Sequence, residues 1–127
     1  MVPHSDLGVL FARSHRLDDG LRVRLRLARP GDEPPIAGLL DRVGLVAGDL
    51  DLARLVRFDP RRRAVVCATA LVAGAEHVIG FGMISVGHGQ PSPEALVVDP
   101  ERADAVRPLL ARGLDGWART RLSGTAA

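Results

Sequence analysis

Residues 64–72 read AVVCATALV and are apolar on both faces of an extended chain. A strand of this kind must be covered on both sides, because either face would otherwise expose apolar surface to water. The run therefore predicts a central strand in a sheet with other elements packed above and below it.

A second strand is predicted by strict alternation over residues 21–28, where the apolar positions are separated by arginines. One face of this strand is expected to be buried and the other to face water. The preceding Asp18-Asp19-Gly20 sequence is typical of a tight hairpin turn, since glycine readily adopts the positive φ that closes such a loop. We expect residues 7–17 to be extended as well, so that residues 1–20 supply an extra strand and turn.

Two helices are predicted between the alternating strand and the apolar strand. Asp32 is placed to cap the first helix and Gly44 to end it. The apolar positions of this helix recur at helical spacing and are Ile36, Leu39, Leu40 and Val43. A second, shorter helix is expected over residues 49–57.

The C-terminal half is predicted to contain two strands and a helix. Residues 73–75 turn the chain into a strand over residues 77–86, residues 87–93 form a loop, and residues 94–98 form a short strand. Pro108 suits a first turn, so regular helix is expected from about that residue, and residues 123–127 are expected to fray. The apolar stripe of this helix comprises Val106, Leu109, Leu110, Gly113, Leu114 and Trp117.

Length and composition fit one domain over residues 1–127 and argue against some partners. The 17 basic residues are all arginines, but 15 acids leave a net charge of only +2, and aromatic residues make up 3%. Nucleic-acid binding is therefore disfavoured, because neither a strong field nor stacking platforms are expected. A lone cysteine, no signal segment and no apolar run of about 20 residues predict a cytoplasmic protein rather than a membrane protein.

Three stretches, taken in their order and spacing, resemble the GNAT (GCN5-related N-acetyltransferase) superfamily. Residues 24–32 (RLRLARPGD) resemble its first strand and the cap of its first helix, and residues 78–83 (VIGFGM) resemble its third strand. Residues 96–101 (LVVDPE) resemble its fourth strand and the start of its cofactor loop. The resemblance covers residues 21–118 and implies an α+β fold with a mixed, mostly antiparallel sheet flanked by helices.

The same resemblance implies transfer of an acetyl group from acetyl-CoA to an amine. In the family, the pantetheine arm pairs with the fourth strand, here at the amides of Leu96, Val97 and Val98. The diphosphate rests on a glycine-rich loop before the next helix, which places Arg102 and Arg107 near it.

Glu94 matches a position where family members often carry a carboxylate that takes the proton from the acceptor amine, directly or through water. The alternative interpretation of Glu94 is a solvated residue at a strand end. His88 is another candidate base, or else an exposed loop histidine.

The sequence also departs from the family. From Asp99 it reads DPERADAVRP, with no glycine and with three carboxylates, Asp99, Glu101 and Asp104, near the expected diphosphate. The family's C-terminal strands, together with its usual tyrosine acid, are not expected in this chain, which contains no tyrosine. These departures favour a rival hypothesis, a catalytically silent module of the same fold that acts by protein association or binds another small ligand.

A partner is predicted from the last strand. Without a fifth strand beside it, residues 94–98 would present an unpaired apolar edge, which proteins usually cover. We expect a homodimer in which a second copy covers this edge or the last helix.

The remaining candidates have structural interpretations as well as functional ones. Cys67 is expected to be a buried thiol rather than a nucleophile. Residues 61–63 (RRR) either bind a phosphate or acidic partner or form a solvated loop. The four histidines show no ligand spacing with the cysteine, so no metal site is expected.

Overall fold

The computed structural model describes the backbone of residues 11, 13–45, 51–87 and 90–126, and the side chains of these residues except 87–94 and 121–126. The strands are β1 (Ser14–Arg16), β2 (Arg22–Leu27), β3 (Arg63–Val72), β4 (Ala75–Gly87) and β5 (Gln90–Val98). The helices are α1 (Glu33–Arg42), α2 (Leu52–Leu55) and α3 (Ala103–Ala126), and short 3-10 turns precede α1 at Pro30–Asp32 and α3 at Pro100–Arg102.

The five strands form one sheet in the order β1-β2-β3-β4-β5, and every neighbouring pair is antiparallel. The predicted α+β class is confirmed. The apolar run lies in β3, at the centre of the sheet, and Ala64, Val65, Val66, Cys67 and Ala68 are fully buried, as their sequence predicts. The prediction is wrong at the end of the run, where Leu71 and Val72 are exposed.

Helices cover both faces of the sheet and create two apolar cores. One core lies between the sheet and α3, and the predicted α3 stripe is buried within it. The other lies beneath α1 and α2 and contains Ile36, Leu39, Leu40, Leu55, Val65, Cys67 and Phe81. The alternation in β2 is confirmed, since Val23 and Leu25 enter the first core while Arg22 and Arg24 are exposed.

Strand β5 begins at Gln90, so the loop predicted for residues 87–93 is wrong from residue 90 onward. Pro91 and Pro93 argued for a loop because proline cannot donate a ladder hydrogen bond. At the edge of a sheet, however, a proline nitrogen facing away from the neighbouring strand breaks no ladder hydrogen bond. In this sheet, Pro91 lies opposite Val86 and Pro93 opposite Ile84.

The helices differ from their predicted limits in three places. Helix α2 covers only Leu52–Leu55, and the Asp51 side chain caps it by accepting from Arg54 N; residues 46–50 lie outside the described part. Helix α3 begins at Ala103, with Pro108 inside it, so the predicted start near Pro108 is wrong. Its helical backbone continues to Ala126, through most of the segment expected to fray.

The extended segment expected over residues 7–17 is observed only as β1, and Phe11 is helical; residues 7–10 and 12 lie outside the described part. The turn at Asp18-Asp19-Gly20 joins β1 to β2 as predicted, with Gly20 at φ 89°. None of the described helices has the length and apolar character needed to cross a membrane.

Candidate functional site

The candidate site is built around the outer edge of β5. Asp99 N donates to Ile79 O of β4 at 2.9 Å, which fixes the direction of the backbone groups at the end of β5. Because successive residues of a strand direct their amides to opposite sides, the amide of Val97 faces β4 and those of Leu96 and Val98 face away from it. No described strand pairs with that outer edge.

This geometry separates the three strand residues named from the sequence. Leu96 and Val98 direct backbone donors to the open edge, and their side chains belong to the core under α3. Val97 uses its backbone groups within the sheet, opposite Phe81, and its side chain packs on the other face.

Glu94 lies at an irregularity in the pairing of β4 with β5. Met83 lies opposite Ala95 and Ile84 opposite Pro93, so Glu94 is an extra residue with no partner on β4. Such a bulge bends the strand and interrupts its ladder, and bulges occur often beside active sites. The side chain of Glu94 lies outside the described part, so its role as a base stays a prediction, as does that of His88.

The turn from β5 to α3 is a 3-10 turn that begins with Pro100. Asp99 stabilises it by accepting from Glu101 N at 3.1 Å, and its other oxygen lies 3.5 Å from Arg42 Nε of α1. Arg42 also donates to Val78 O at 3.1 Å, which ties the end of α1 to β4 beside this turn. The side chains of Asp99 and Arg42 therefore hold this turn. A glycine-rich loop would instead present bare backbone amides to an anion at this position.

Arg102 is bound to the hairpin turn between β1 and β2. Its guanidinium pairs with the carboxylate of Asp19, and the pair borders a shallow depression of about 220 Å³ beside the start of α3. The backbone hydrogen bond from Leu21 and the pairing with Arg102 lower the pKa of Asp19. Arg107 is exposed on α3 and makes no ion pair with another described residue, whereas Arg102 is already paired with Asp19.

The arrangement of sheet and helices matches a known fold. A crystal structure of the GNAT domain of S. lividans PAT superposes with a TM-score of 0.57 at 20% sequence identity. The alignment covers 86% of this chain and 72% of that domain. The chain has a GNAT-like fold. No protein-family model matches the sequence, and no curated protein matches it either.

Within this GNAT-like fold, sequence reasoning missed a polar cluster at the start of α1. Arg26 donates to both oxygens of Asp32, and its Nη2 also donates to Glu76 Oε1 of β4 at 2.8 Å. Asp32 additionally accepts from Arg29 N at 2.8 Å. The sequence predicts that Asp32 caps α1. Its side chain instead accepts from the amide of Arg29, in the segment after β2, and makes no cap hydrogen bond to the helix.

The cluster sets the ionisation of its carboxylates. Burial alone would raise the pKa of Asp32, but hydrogen bonds from Arg26 and from the Arg29 amide outweigh it, so the pKa is lowered. The hydrogen bond from Arg26 likewise lowers the pKa of Glu76. The sequence signal for this cluster was Arg26 itself, an arginine at the partly buried end of β2.

Cys67 is fully buried beneath α1, as predicted. Burial raises the pKa of its thiol to about 12, so almost no thiolate is present near neutrality. Among the described residues, no group of three or more His, Cys, Asp and Glu side chains is placed to hold a metal ion.

Proposed function

We propose that this chain is a GNAT-like N-acetyltransferase that takes acetyl-CoA as its acetyl donor. One observation carries the proposal: the outer edge of β5 offers the amides of Leu96 and Val98 beside the N-terminus of the long helix α3. An extended amide-bearing arm can pair with such an edge as an added strand would. The diphosphate of acetyl-CoA would lie toward α3, where the helix dipole favours negative charge.

The proposed reaction joins the amine nitrogen of an acceptor to the thioester carbonyl carbon. The carbon–sulfur bond breaks, the sulfur leaves as the thiolate of coenzyme A and takes a proton from water, and the amine gives up one proton to the base. An outward amide of β5 is suited to stabilise the negative charge that develops on the carbonyl oxygen. Glu94, or a water molecule that it orients, takes the amine proton, since the bulge sets this residue apart from the pairing with β4.

Thermal unfolding with and without acetyl-CoA tests the first step. A ligand at about 100 times its dissociation constant adds roughly 2.7 kcal/mol to the free energy of unfolding, which is a readily measured rise in Tm. Glu94→Gln should keep this rise but slow the release of coenzyme A thiol, because it removes a base and leaves the strand backbone intact. No rise in Tm at millimolar acetyl-CoA would refute the proposal.

The charge at the start of α3 favours a second candidate function, a catalytically silent module that binds a protein or another small ligand. Asp18, Asp19, Glu101 and Asp104 line the depression there, and Arg102 is already paired. Like charges repel a diphosphate, most strongly at low salt. A Tm that does not change when acetyl-CoA is added, at both low and high salt, would support this candidate.

The open edge of β5 also supports a homodimer, in which a second copy covers this edge or the exposed face of α3. An unpaired edge tends to recruit another strand, and pairing between two identical edges is self-complementary. Multi-angle light scattering at micromolar concentration tests the homodimer. A monomer mass over the whole range would contradict it.

A further inference from the structure

A second concave region lies between α2 and the start of β3. It has a volume of about 740 Å³ and is lined by Ala53, Arg54, Arg57, Phe58, Asp59, Arg62 and Arg63. We call it the arginine pocket. Like the depression beside α3, it is open to solvent.

The lining of the arginine pocket is strongly cationic. Four arginines and one aspartate line it, and Asp59 is already bound, since it accepts from Arg61 N at 3.0 Å and from Arg61 Nε at 3.3 Å. These hydrogen bonds from Arg61, with a smaller contribution from the charge of Arg62, lower the pKa of Asp59. The local field therefore favours negative charge.

Two of the lining guanidinium groups have no partner within the described part of the chain. Arg57 is engaged, through Glu33 at 3.3 Å and the carbonyl of Ala53 at 3.1 Å. Arg54 and Arg62 are exposed, and neither side chain makes an ion pair or hydrogen bond to a described residue. Their planar donor forks match the oxygens of a phosphate or carboxylate group.

Phe58 adds an apolar surface to this charged lining. It is partly buried and packs against the core beneath α1 and α2. An apolar surface beside several guanidinium groups suits a small molecule with an anionic group and an apolar body.

We propose that the arginine pocket binds a small molecule through its phosphate or carboxylate group. Mutual repulsion among the arginines is relieved when such an anion is bound, and the donors of Arg54 and Arg62 gain partners. The pocket recognises the anionic oxygens that phosphate and carboxylate groups share. Titrations with pyrophosphate and with citrate distinguish the two groups.

The position of the pocket links it to β5. Arg63 lies opposite Ser85 of β4, and Ser85 lies opposite Ser92 of β5. The pocket end of β3 is therefore two strand spacings, about 10 Å, from the strand that carries the bulge at Glu94. This step rests on the acetyl transfer proposed above. The charge of the pocket then favours a small anionic amine as the acceptor over a polyamine or a lysine-rich peptide.

Calorimetric titration with pyrophosphate and with citrate tests the pocket independently of any catalysis. We expect at least one of these anions to bind, and Arg54→Gln with Arg62→Gln to weaken that binding by about tenfold or more, because the double variant loses two charged donors to the anion. The matched control removes two exposed arginines outside the pocket, Arg13→Gln with Arg112→Gln, and should change the affinity by less than about twofold.

Two outcomes would refute anion binding by the arginine pocket. One is the absence of binding by both anions at millimolar concentration and low salt. The other is equal weakening in the pocket variant and the control, which would show attraction by net charge alone.

Acetyl transfer to aspartate, O-phosphoethanolamine and spermidine tests the link to the acceptor. We expect transfer to an anionic amine in preference to spermidine, with the preference lost in the Arg54→Gln, Arg62→Gln variant. Transfer to spermidine alone would overturn the acceptor class while the proposed function stands. Anion binding without any response to acetyl-CoA would leave the pocket in place and refute the transferase.

Discussion

Asp32 accepts from both terminal nitrogens of Arg26, with Nη1–Oδ2 and Nη2–Oδ1 distances of 2.7 Å, and so joins the end of β2 to the start of α1. The Asp32 side chain is 4% exposed and that of Arg26 is 21% exposed, which leaves little water to replace either partner. The same arginine reaches Glu76 at the start of β4, so one side chain connects three segments.

Asp32→Asn should therefore destabilise the protein by about 3 kcal/mol, because it leaves the Arg26 charge partly buried without its main partner. Urea denaturation measures this change. Asp115→Asn is the matched control, since the Asp115–Arg119 pair is exposed and spans one helical turn, and it should cost no more than about 0.5 kcal/mol. A loss below about 1 kcal/mol for Asp32→Asn would show that the pair contributes little.

The same cluster predicts how stability depends on pH. The folded protein lowers the pKa of Asp32 below its ordinary value of 3.8, so the unfolded chain binds more protons in acid. The resulting stability is present above that ordinary value and is lost as the pH falls through the lowered folded pKa, with the decline beginning below about pH 5.

Urea midpoints at pH 7, 5, 4 and 3 measure the decline. Asp32→Asn should flatten it, leaving the share that comes from Glu76, Asp19 and Asp59, whose pKa values are also lowered. An unchanged slope in the variant would assign the acid sensitivity to other carboxylates.

Two glycines in different environments should respond to alanine with opposite signs. A Cβ added at Gly82 would lie 2.6 Å from Leu114 Cδ1 and 2.8 Å from Leu96 Cδ1, inside the core under α3. Gly82→Ala should destabilise the protein by about 1–3 kcal/mol, as overpacking does. Gly38, within α1, meets only Arg42 Nη1 at 3.8 Å, and Gly38→Ala should stabilise by about 0.5–1 kcal/mol.

Thermal and urea unfolding of both glycine variants check these signs. A neutral Gly82→Ala would mean that Leu114 and Leu96 move aside at little cost.

The sequence predicts the sheet well where one physical rule acts alone. Alternation in β2 and the two apolar faces of β3 both follow from which sides of a strand are covered. It fails at β5, where two prolines indicated a loop and the edge position made a strand possible.

The site is less accessible to sequence reasoning because its contacts join distant residues. The family resemblance predicts Arg102 near an acetyl-CoA diphosphate, but its partner Asp19 lies 83 residues earlier in the chain. Asp32 was assigned to the helix that follows it, whereas Arg26, six residues before it, supplies the stronger partner. Capping rules assign a partner from its spacing in the sequence. They miss Arg26, although an ion pair with two hydrogen bonds is stronger than a single cap hydrogen bond.

The pairing of Asp19 with Arg102 leads to a final prediction, on acetyl-CoA binding. Asp19→Asn removes a carboxylate from the start of α3 and releases Arg102, so it should tighten the binding of acetyl-CoA by about two- to fivefold. Arg102→Gln removes the cation and leaves Asp19 unpaired, so it should weaken binding by a similar factor. Asp115→Asn, which also removes one exposed carboxylate but lies three turns along α3, should leave the affinity unchanged. Titration calorimetry at low salt measures all three, and a shift of the first two variants in the same direction would exclude Arg102 from the proposed acetyl-CoA site.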